Sequence, residues 1–502
     1  MKRLLVNMMV LCCMALSTMA QAHFGEKPRL VVGIVVDQMR WDYLSRYYDR
    51  FTTDGFRRLI DQGFSCDNCL INYLPTVTAI GHTSIYTGTT PAFHGICGNN
   101  FYIDGKKTNC CTDTTVQTVG SNNSSGQRSP RNMLASTIGD QLRLHTDFGS
   151  KVIGVSFKDR AAIFPAGHAA NAAYWLDLKA MQFISSTYYM TELPQWAKAY
   201  NVALSRNREA KQAGSDIGLT ALCGTVITDM AIAALEGEHL GKGSYTDMLC
   251  VSYSQTDIIG HQWGTRGEHT DEAYLQLDRD LGRLLHALDN QVGEGNYLVF
   301  LTADHGAAHN WHFMQEHKLA AGPWSSGDMV EHVYEAIAND IGDNGEYIGD
   351  IMDYRIFLNW EKIREMGLIT ADMEHHILWE LQKEPGITFA AVYKDLATSS
   401  LPPLLRDRAL MGYYPGRSGD LIFFPKPGYY EYGSWSSPTG TTHGEWNPYD
   451  AHIPCLFYGW KVKHGATSRE VHITDIAPTV CQLLHIQQPN ACVGEAIVEI
   501  TQ

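Results

Sequence analysis

The stretch LVVGIVVD, residues 30–37, decides the fold class of this chain. Seven uncharged residues are followed directly by an aspartate. A continuous apolar run of this length is typical of a strand that is buried on both faces, as strands are in a parallel sheet. The run therefore predicts a central strand that ends in a carboxylate.

Other segments have the same form, and helical patterns separate them. The runs are KVIGVSF (151–157), DMLCVSYS (247–254), NYLVFLTA (296–303) and HIPCLFYG (452–459). The clearest helical pattern is residues 270–289, where one face carries Tyr274, Leu277, Leu281, Leu284, Leu285 and Leu288. Alternating strands and helices predict an α/β fold with a doubly wound, mostly parallel sheet, which binds ligands beyond the carboxyl ends of its strands.

Acidic and imidazole side chains cluster at these predicted strand ends. They are Asp37, Asp257, His261, Asp304, His305 and, in GTTHGEW, His443. Any one of them alone is more often a helix cap or a surface residue. Together, three carboxylates and three imidazoles have the number and type of donors for two zinc ions with open positions. We expect turns after the strands to let Asp257 and His261 converge on one ion, with His309 and His312 either supporting the ligands or having no role.

The segment NYLPTVTAIGHTSIYTG, residues 72–88, is rich in hydroxyl groups yet contains no lysine, arginine, aspartate or glutamate. Its hydroxyl side chains are Thr76, Thr78, Thr83, Ser84 and Thr87. Such side chains usually make local hydrogen bonds to the backbone. From the residues alone, it stays open whether one of these hydroxyls also takes part in chemistry.

The first 22 residues read as a secretory signal peptide. Lys2 and Arg3 precede an apolar stretch, and Ala20-Gln21-Ala22 forms a small-residue cleavage site. Cleavage would leave residues 23–502 and take the net charge from −15 to −17. We therefore expect a soluble periplasmic or secreted protein without a membrane span. An acidic chain is a poor platform for nucleic acid or an anionic membrane.

Ten cysteines remain after the predicted cleavage site, and some of them could pair in an exported chain. Cys66-x-x-Cys69 could also suggest zinc, but no second cysteine pair stands at the spacing of a zinc ribbon. A disulfide or plain thiols are therefore the favoured interpretations of this pair.

Seven segments, taken together, resemble the alkaline phosphatase superfamily. They are GIVVDQMRWDYL, YLPTVTAIGHTSIYTGTTPAFHGICGN, VSFKDRAAIFPAGHAANAAYWLD, QTDIIGHQWG, LTADHGA, GTTHGEWNPYDAHIPCLFYG and ITDIAPTVCQLLHI. Within the superfamily, the chain is similar to the threonine-nucleophile branch that includes nucleotide pyrophosphatase/phosphodiesterases, and above all to exported, phosphate-irrepressible alkaline phosphatases. The resemblance implies one catalytic domain over residues 23–502, with a cap or insert around residues 330–430.

The resemblance also implies roles for individual residues. One zinc ion would be held by Asp257, His261 and His443, and the other by Asp37, Asp304, His305 and the Thr78 oxygen. Thr78, on a turn with the pattern Thr-x-x-Gly-His, would be the nucleophile that forms a phosphothreonine, which water then hydrolyses. Asn99, or its neighbour Asn100, would donate to the phosphoryl group. Lys158 and Arg160 match the pair of cations that distinguishes the monoesterase branch, and a turn after the strand at residues 151–157 would point both into the site.

The expected activity is therefore zinc-dependent hydrolysis of small-molecule phosphate monoesters. The rival within the superfamily is a phosphodiesterase, nucleotide pyrophosphatase or phosphonate hydrolase, which would share the metals and Thr78 without needing the Lys158–Arg160 pair. A sulfatase is disfavoured because the chain has no Cys-x-Pro-x-Arg motif. A metal- or phosphate-binding protein without catalysis is the rival from another class, and an intact Thr78 argues against it.

Overall fold

The strand Leu30–Val36 lies inside a large sheet and has a parallel partner on each side. The structure, a computed structural model, describes residues 27–342, 345–433 and 436–501. One neighbour of Leu30–Val36 is Asp247–Tyr253 and the other is Tyr297–Thr302. All three strands are fully buried, as their continuous apolar sequences predict. The predicted signal peptide lies outside the described residues.

The sheet has ten strands. From one edge to the other they are Gly465–Thr467, Phe64–Cys66, Cys455–Gly459, Tyr297–Thr302, Leu30–Val36, Asp247–Tyr253, Val152–Ser156, Ala172–Asp177, Gln182–Ser186 and Thr118–Val119. The strand prediction is confirmed for all five apolar runs, but one orientation is wrong. Cys455–Gly459 is antiparallel to Tyr297–Thr302. The chain comes to this strand from the His443 segment, which lies beyond the carboxyl ends of the parallel strands, so it must run back in the opposite direction.

Helices pack against this sheet around one large hydrophobic core. The predicted helix over residues 270–289 is confirmed as Glu268–Gln291, and all six residues of its apolar face are buried. The other main helices of this part are Phe56–Gln62, Thr78–Thr87, Ile138–His145, Asp159–Ala166, Gln195–Leu204, Leu222–Gly237, Gln255–Trp263 and Ile476–Leu483. The mixed α/β fold class is confirmed.

A second sheet is formed by residues between 348 and 425, and we call this region the inserted sheet. Its strands, in spatial order, are Ile348–Met352, Arg355–Leu358, Leu421–Pro425 and Ile387–Val392, and neighbouring strands are antiparallel. The region has a hydrophobic cluster of its own. The helices Trp360–Glu365, Thr370–Leu381 and Pro403–Gly412 belong to this region, and Ser326–Ile341, which precedes it, packs in the same cluster. The predicted cap or insert at residues 330–430 falls in this region.

The ten cysteines from Cys66 to Cys492 are free thiols in the structure, and nine of them are buried. Cys66 and Cys69 are therefore plain thiols in the structure and do not form a disulfide. Among the described residues, no single helix is long and apolar enough to cross a membrane. The bent pair Arg208–Leu219 and Leu222–Gly237 meets the length and composition criteria only when the two helices are taken together.

Candidate metal centre and nucleophile

Three buried aspartates stand just beyond the carboxyl ends of the three central strands. Asp37 follows Leu30–Val36 directly, Asp304 follows Tyr297–Thr302 after one residue, and both are 0% exposed. Asp257 is 3% exposed and lies in the helix Gln255–Trp263, which begins after the strand Asp247–Tyr253. Because the strands are parallel neighbours, these three carboxylates meet at one edge of the sheet.

Asp257, His261 and His443 form the first group of possible metal ligands. The Oδ1 atom of Asp257 lies 3.1 Å from Nε2 of His261 and 3.5 Å from Nε2 of His443. Asp257 and His261 converge because they are four residues apart on a helix, and not because they follow a turn as the sequence suggested.

The other ring nitrogens of these histidines are held by the backbone. Nδ1 of His261 lies 2.9 Å from the Thr441 carbonyl oxygen, and Nδ1 of His443 lies 2.7 Å from the Thr76 carbonyl oxygen. An N–H donated to a carbonyl fixes the ring and leaves Nε2 as the atom that can bind a metal, which is the usual support for a metal-binding histidine.

Asp37, Asp304 and His305 lie beside this first group. Nε2 of His305 is 3.5 Å from Oδ1 of Asp37 and 3.6 Å from Oδ2 of Asp304, while its Nδ1 lies 3.0 Å from the Gly306 carbonyl oxygen. One ligand atom each of Asp37, Asp257 and His305 lies within 4.8 Å of the other two, and His305 also lies beside Asp304, so the six predicted ligands form one continuous cluster.

Three atoms of this second set are buried and have no hydrogen-bond partner: Asp37 Oδ1, Asp304 Oδ2 and His305 Nε2. Buried polar atoms are nearly always paired, and an unpaired one calls for an explanation such as an ion. Two carboxylate oxygens and one imidazole nitrogen that point to the same place have the chemistry of a metal site. The residues therefore fit the group that the sequence implies.

The electrostatics of the cluster are those of a site that favours cations. Burial raises the pKa of Asp37 well above its usual value, and the nearby carboxylates of Asp257 and Asp304 raise it further. Burial opposes ionisation of Asp304 too, but His305 and His82 lower its pKa below the usual range. Crowded carboxylates in a dry site repel one another, and a bound cation relieves that repulsion.

Lys158 lies inside this cluster. Its Nζ atom is 2.7 Å from Oδ2 of Asp37 and 2.6 Å from Oδ2 of Asp257. Burial opposes its charge, but Asp257 and Asp37 raise its pKa above the usual value. The sequence suggested that Lys158 and Arg160 lie on a loop turn. In the structure Lys158 is the N-cap residue of the helix Asp159–Ala166, without a side-chain capping hydrogen bond, and Arg160 is the second residue of that helix. The ammonium group contacts carboxylates of both predicted metal sites.

Arg160 is close to the cluster but makes few contacts. Its Nη1 atom lies 3.7 Å from Oδ1 of Asp159, and its Nε atom is buried without a hydrogen-bond partner. Arg128 donates from Nε to the other oxygen of Asp159, at 2.8 Å. The guanidinium of Arg160 thus keeps an unused donor. Burial opposes its charge, but Asp159 and, to a smaller extent, Asp37 raise the pKa of Arg160 above its usual value.

Thr78 is the first residue of the helix Thr78–Thr87, and the residue is 1% exposed. The expected turn is therefore a helix amino terminus, where unpaired N–H groups and the helix dipole favour negative charge. Gly81 explains the spacing of the Thr-x-x-Gly-His pattern, because a Cβ there would collide with the Asp304 carbonyl oxygen. His82 then donates from Nδ1 to the Thr78 carbonyl oxygen at 2.9 Å, and the same nitrogen lies 3.2 Å from Oδ2 of Asp304 without a hydrogen bond to it.

Asn99 is held against the residue that follows Thr78. Its Oδ1 atom accepts a hydrogen bond from the Ala79 N–H at 3.1 Å. Asn100 is exposed and begins the short strand Asn100–Ile103. Of the two neighbouring asparagines, the structure brings Asn99 to the helix amino terminus.

The remaining hydroxyls of residues 72–88 make structural hydrogen bonds, as predicted. Thr76 donates to the Glu445 carbonyl oxygen, Thr83 to that of Ala79 and Thr87 to that of Thr83, while Ser84 Oγ contacts His94 Nε2. His309 Nδ1 contacts Thr265 Oγ1, and His312 packs on Trp311. Among the described residues, neither histidine is hydrogen-bonded to a predicted ligand.

Sequence reasoning missed Gln38, which contacts two of the ligands, and Ser252, which contacts His82 beside them. Gln38 donates from Nε2 to Oδ1 of Asp257, at 2.7 Å, and from its backbone N–H to Oδ1 of Asp304, at 3.2 Å. Ser252 Oγ lies 2.7 Å from Nε2 of His82. The only sequence signal for Gln38 is its place directly after a strand-end ligand.

Several known proteins are similar in sequence to this chain. The family described as type I phosphodiesterase / nucleotide pyrophosphatase matches residues 31–449. Alkaline phosphatase PafA of Elizabethkingia meningoseptica is 41% identical, with 94% of each chain covered, and alkaline phosphatase PhoV of Synechococcus elongatus is 39% identical over 94% of this chain and 93% of its own. A protein of Myroides odoratus named calcium-transporting ATPase is 41% identical, with 97% of each chain covered.

Solved structures give the same result for the fold. The crystal structure of wild-type PafA has a TM-score of 0.90 at 40% identity and covers 95% of this chain and 99% of its own. The murine ectonucleotide pyrophosphatase/phosphodiesterase 5 structure has a TM-score of 0.56 at 14% identity, which supports the shared fold alone.

The fold and the clustered strand-end ligands define a hydrolase of the alkaline phosphatase superfamily. Within it, the chain belongs to the type I phosphodiesterase / nucleotide pyrophosphatase family, whose matched region contains all six predicted metal ligands and Thr78.

Proposed function

We propose that the chain hydrolyses phosphate monoesters through a covalent phosphothreonine on Thr78, with two zinc ions bound at the strand-end cluster. The observation that carries the proposal is the set of three unpaired buried atoms, Asp37 Oδ1, Asp304 Oδ2 and His305 Nε2, next to the amino terminus of the helix that begins at Thr78. PafA and PhoV, both alkaline phosphatases, match more than nine-tenths of this chain and support the reaction class.

The donor set suits zinc. Asp257, His261 and His443 would hold one ion, and Asp37, Asp304 and His305 the other. Three protein ligands with an open position are typical of catalytic zinc. When bound, the ions would lower the pKa of a coordinated hydroxyl group and neutralise charge on the phosphoryl oxygens.

Thr78 would attack phosphorus in line with the leaving alcohol oxygen. The bond from the Thr78 oxygen to phosphorus forms as the ester bond breaks, and water then releases phosphate in a second displacement. The N–H groups at the start of Thr78–Thr87 favour the negative charge of the phosphoryl group. Asn99 accepts the Ala79 N–H through Oδ1, so its Nδ2 amide remains available as a donor to a phosphoryl oxygen.

Lys158 and Arg160 would bind the remaining charged oxygens. A monoester has a terminal phosphoryl group with three unbridged oxygens, whereas a diester has one of them alkylated. The ammonium of Lys158 lies among carboxylates that cations would neutralise, and Arg160 has an unused Nε donor. A PafA variant has been solved with a threonine, an asparagine, a lysine and an arginine substituted, in that chain order, which matches the order of Thr78, Asn99, Lys158 and Arg160.

The alternative is a phosphodiesterase or nucleotide pyrophosphatase, since the family description includes both activities. A cation pair beside the nucleophile favours the monoester. PafA and PhoV, which are 41% and 39% identical to this chain, are both named alkaline phosphatases. The murine phosphodiesterase 5 structures are only 14% identical to it.

A paired assay tests the proposal. The purified protein is given 4-nitrophenyl phosphate and bis(4-nitrophenyl) phosphate, before and after treatment with a chelator and after zinc is restored. We expect the monoester to have the higher kcat/KM, chelation to abolish turnover of both substrates, and zinc to restore it. A preference for the diester would favour the alternative activity, and full turnover without metal would reject the two-metal proposal.

Two further properties belong to the same proposal. The apolar start of the chain and its Ala20-Gln21-Ala22 site support export to the periplasm or the medium. The inserted sheet would serve as a cap because it contacts the segment that carries Asn99: Arg355 Nη1 donates to the Cys97 carbonyl oxygen at 2.6 Å.

A further inference from the structure

Gln38 lies between the two predicted metal sites and contacts one ligand of each. Its side-chain Nε2 donates to Oδ1 of Asp257, and its backbone N–H donates to Oδ1 of Asp304. Asp257 belongs to the set with His261 and His443, and Asp304 to the set with His305. Gln38 is 3% exposed, so water competes little for these hydrogen bonds.

The backbone of Gln38 has an unfavourable conformation. Its φ angle is 62°, in the left-handed region that glycine, asparagine and aspartate adopt far more readily than glutamine. Strained residues of this kind persist where surrounding contacts hold them, and they concentrate at functional sites. This left-handed conformation turns the chain after Asp37, so the Gln38 backbone N–H faces Asp304 while its side chain reaches Asp257.

Gly260 makes room for the Gln38 side chain. A Cβ at Gly260 would collide with Oε1 of Gln38. Gly260 lies between Asp257 and His261 on the helix Gln255–Trp263, and it is buried. The glutamine amide thus packs on the same helix that presents two ligands, in a space that alanine would fill.

We propose that Gln38 is a positioning residue that fixes Asp257 and Asp304 relative to each other, so that the two metal ions bind at the correct separation. The inference rests on the proposed two-metal function. The amide N–H orients the Asp257 carboxylate, as outer hydrogen bonds do for ligands in other metal sites. The backbone N–H does the same for Asp304, and the Gln38 side chain, packed against Gly260, links the two donors.

The test measures zinc affinity and not turnover alone. Zinc binding to the metal-free protein is titrated against a competing chelator for wild type, Gln38→Ala and Gln38→Gly. We expect both variants to lose about 10- to 100-fold in affinity for at least one ion, the range typical of lost outer hydrogen bonds. Gln38→Gly also relieves the backbone strain, so the metal-free form of this variant should melt higher than that of Gln38→Ala while binding zinc equally poorly.

Gly260→Ala is a second, independent probe. Alanine is a better helix former than glycine, but its Cβ would collide with Gln38 Oε1, so the melting temperature of the metal-free protein is measured beside its zinc affinity. We expect zinc affinity to fall as it does in Gln38→Ala, because the new methyl group displaces the Gln38 amide. Gln255→Ala is the matched control: Gln255 is also buried, lies two residues from Asp257, and among the described residues has no hydrogen bond to a predicted ligand.

The outcomes separate this inference from the function on which it rests. If wild type binds two zinc ions and Gln38→Ala binds both with unchanged affinity, the positioning role is wrong and the two-metal proposal stands. If wild type itself does not bind two ions, the two-metal proposal is wrong and this inference falls with it. Equal losses in Gln255→Ala and Gln38→Ala would show a general effect of packing and would overturn the positioning role.

Discussion

The metal-ligand cluster and the inserted sheet both bury charged groups, but they treat them differently. At the cluster, Asp37 and Asp304 each keep a carboxylate oxygen without a hydrogen-bond partner. In the inserted sheet, Arg355 is fully buried and donates to the carbonyl oxygens of Cys97 and Met352 and to the Asp353 carboxylate. Asp420 accepts hydrogen bonds from the Leu358 N–H and the Trp360 indole.

The difference shows how to separate a polar group that builds a fold from one that serves a site. A buried polar atom without a partner costs roughly 1–3 kcal/mol, so an unpaired buried carboxylate oxygen calls for an explanation such as a bound ion. Paired charges in the inserted sheet need no ligand. We therefore expect substitutions at the cluster to change chemistry and metal binding, and those in the inserted sheet to change stability.

The largest effect is expected at Thr78. Thr78→Ala removes the proposed nucleophile but leaves the helix Thr78–Thr87 and the ligands in place. The monoester kcat should fall on the order of 10³-fold or more, with zinc content and melting temperature close to wild type. Steady-state kinetics and elemental analysis measure this. Thr76→Ala, which loses one hydrogen bond to the Glu445 carbonyl oxygen, should be mild. A phosphoryl group trapped during turnover on any residue other than Thr78 would reject the assignment.

The next effect is on metal content. His443→Ala and Asp304→Asn each remove a ligand from one of the two proposed sites, so each should bind fewer than two zinc ions per chain and lose most of its activity. His309→Ala is the matched control, because His309 contacts Thr265 and lies outside the ligand cluster. Elemental analysis that finds two zinc ions per chain in both ligand variants would contradict the proposed assignment of ligands to the two sites.

Substrate preference should respond more selectively. Replacing both Lys158 and Arg160 by Ala removes the proposed donors to the terminal phosphoryl oxygens, so monoester kcat/KM should fall roughly 10- to 100-fold more than diester kcat/KM, as charge-assisted hydrogen bonds of about 1.5–3 kcal/mol imply. Arg128→Ala is the control, since Arg128 pairs with Asp159 at 2.8 Å and has no proposed contact with substrate. Equal losses for both substrates would instead favour the diesterase alternative.

The sequence predicted the parts of the site that depend on strand ends. Asp37, Asp304 and His305 follow buried apolar runs, and parallel neighbours bring such positions together without any knowledge of side-chain contacts. The orientation of Cys455–Gly459 could not be predicted in this way, because a buried run has the same apolar pattern in a parallel or an antiparallel strand.

Local geometry near the ligands was less predictable. Thr78 and Asp257 were expected on turns, but both lie in helices whose short, glycine-containing sequences give a weak helical pattern. Gly81 reads as a helix breaker in the sequence, whereas in the structure it permits close contact with Asp304. The role of Gln38 depends on a backbone angle and on a collision at Gly260, neither of which leaves a pattern in one sequence.

The smallest effect tests the inserted sheet through pH. The pKa of Asp420 is raised to about 6, mainly by burial and in smaller part by Glu374. The Leu358 N–H, the Trp360 indole and Lys394 oppose this rise. An unfolded aspartate has a pKa of about 4. Because the folded pKa is the higher one, the favourable contribution of Asp420 is complete below about pH 4. It is lost as the pH rises through about 6.

Asp420→Asn removes this titration. We expect the difference in free energy of unfolding between the variant and wild type to change by at most about 2 kcal/mol between pH 4 and pH 7, with the variant gaining relative stability as the pH rises. Chemical denaturation at a series of pH values measures it, and Asp407→Asn, whose side chain is 66% exposed, is the control in the same region. Zinc content should be unchanged, since Asp420 belongs to the inserted sheet and its hydrogen bonds are satisfied there. A flat difference across this pH range would show that the Asp420 carboxylate is no more costly to ionise in the fold than in water. A loss of zinc in the variant would break the contrast between the two regions.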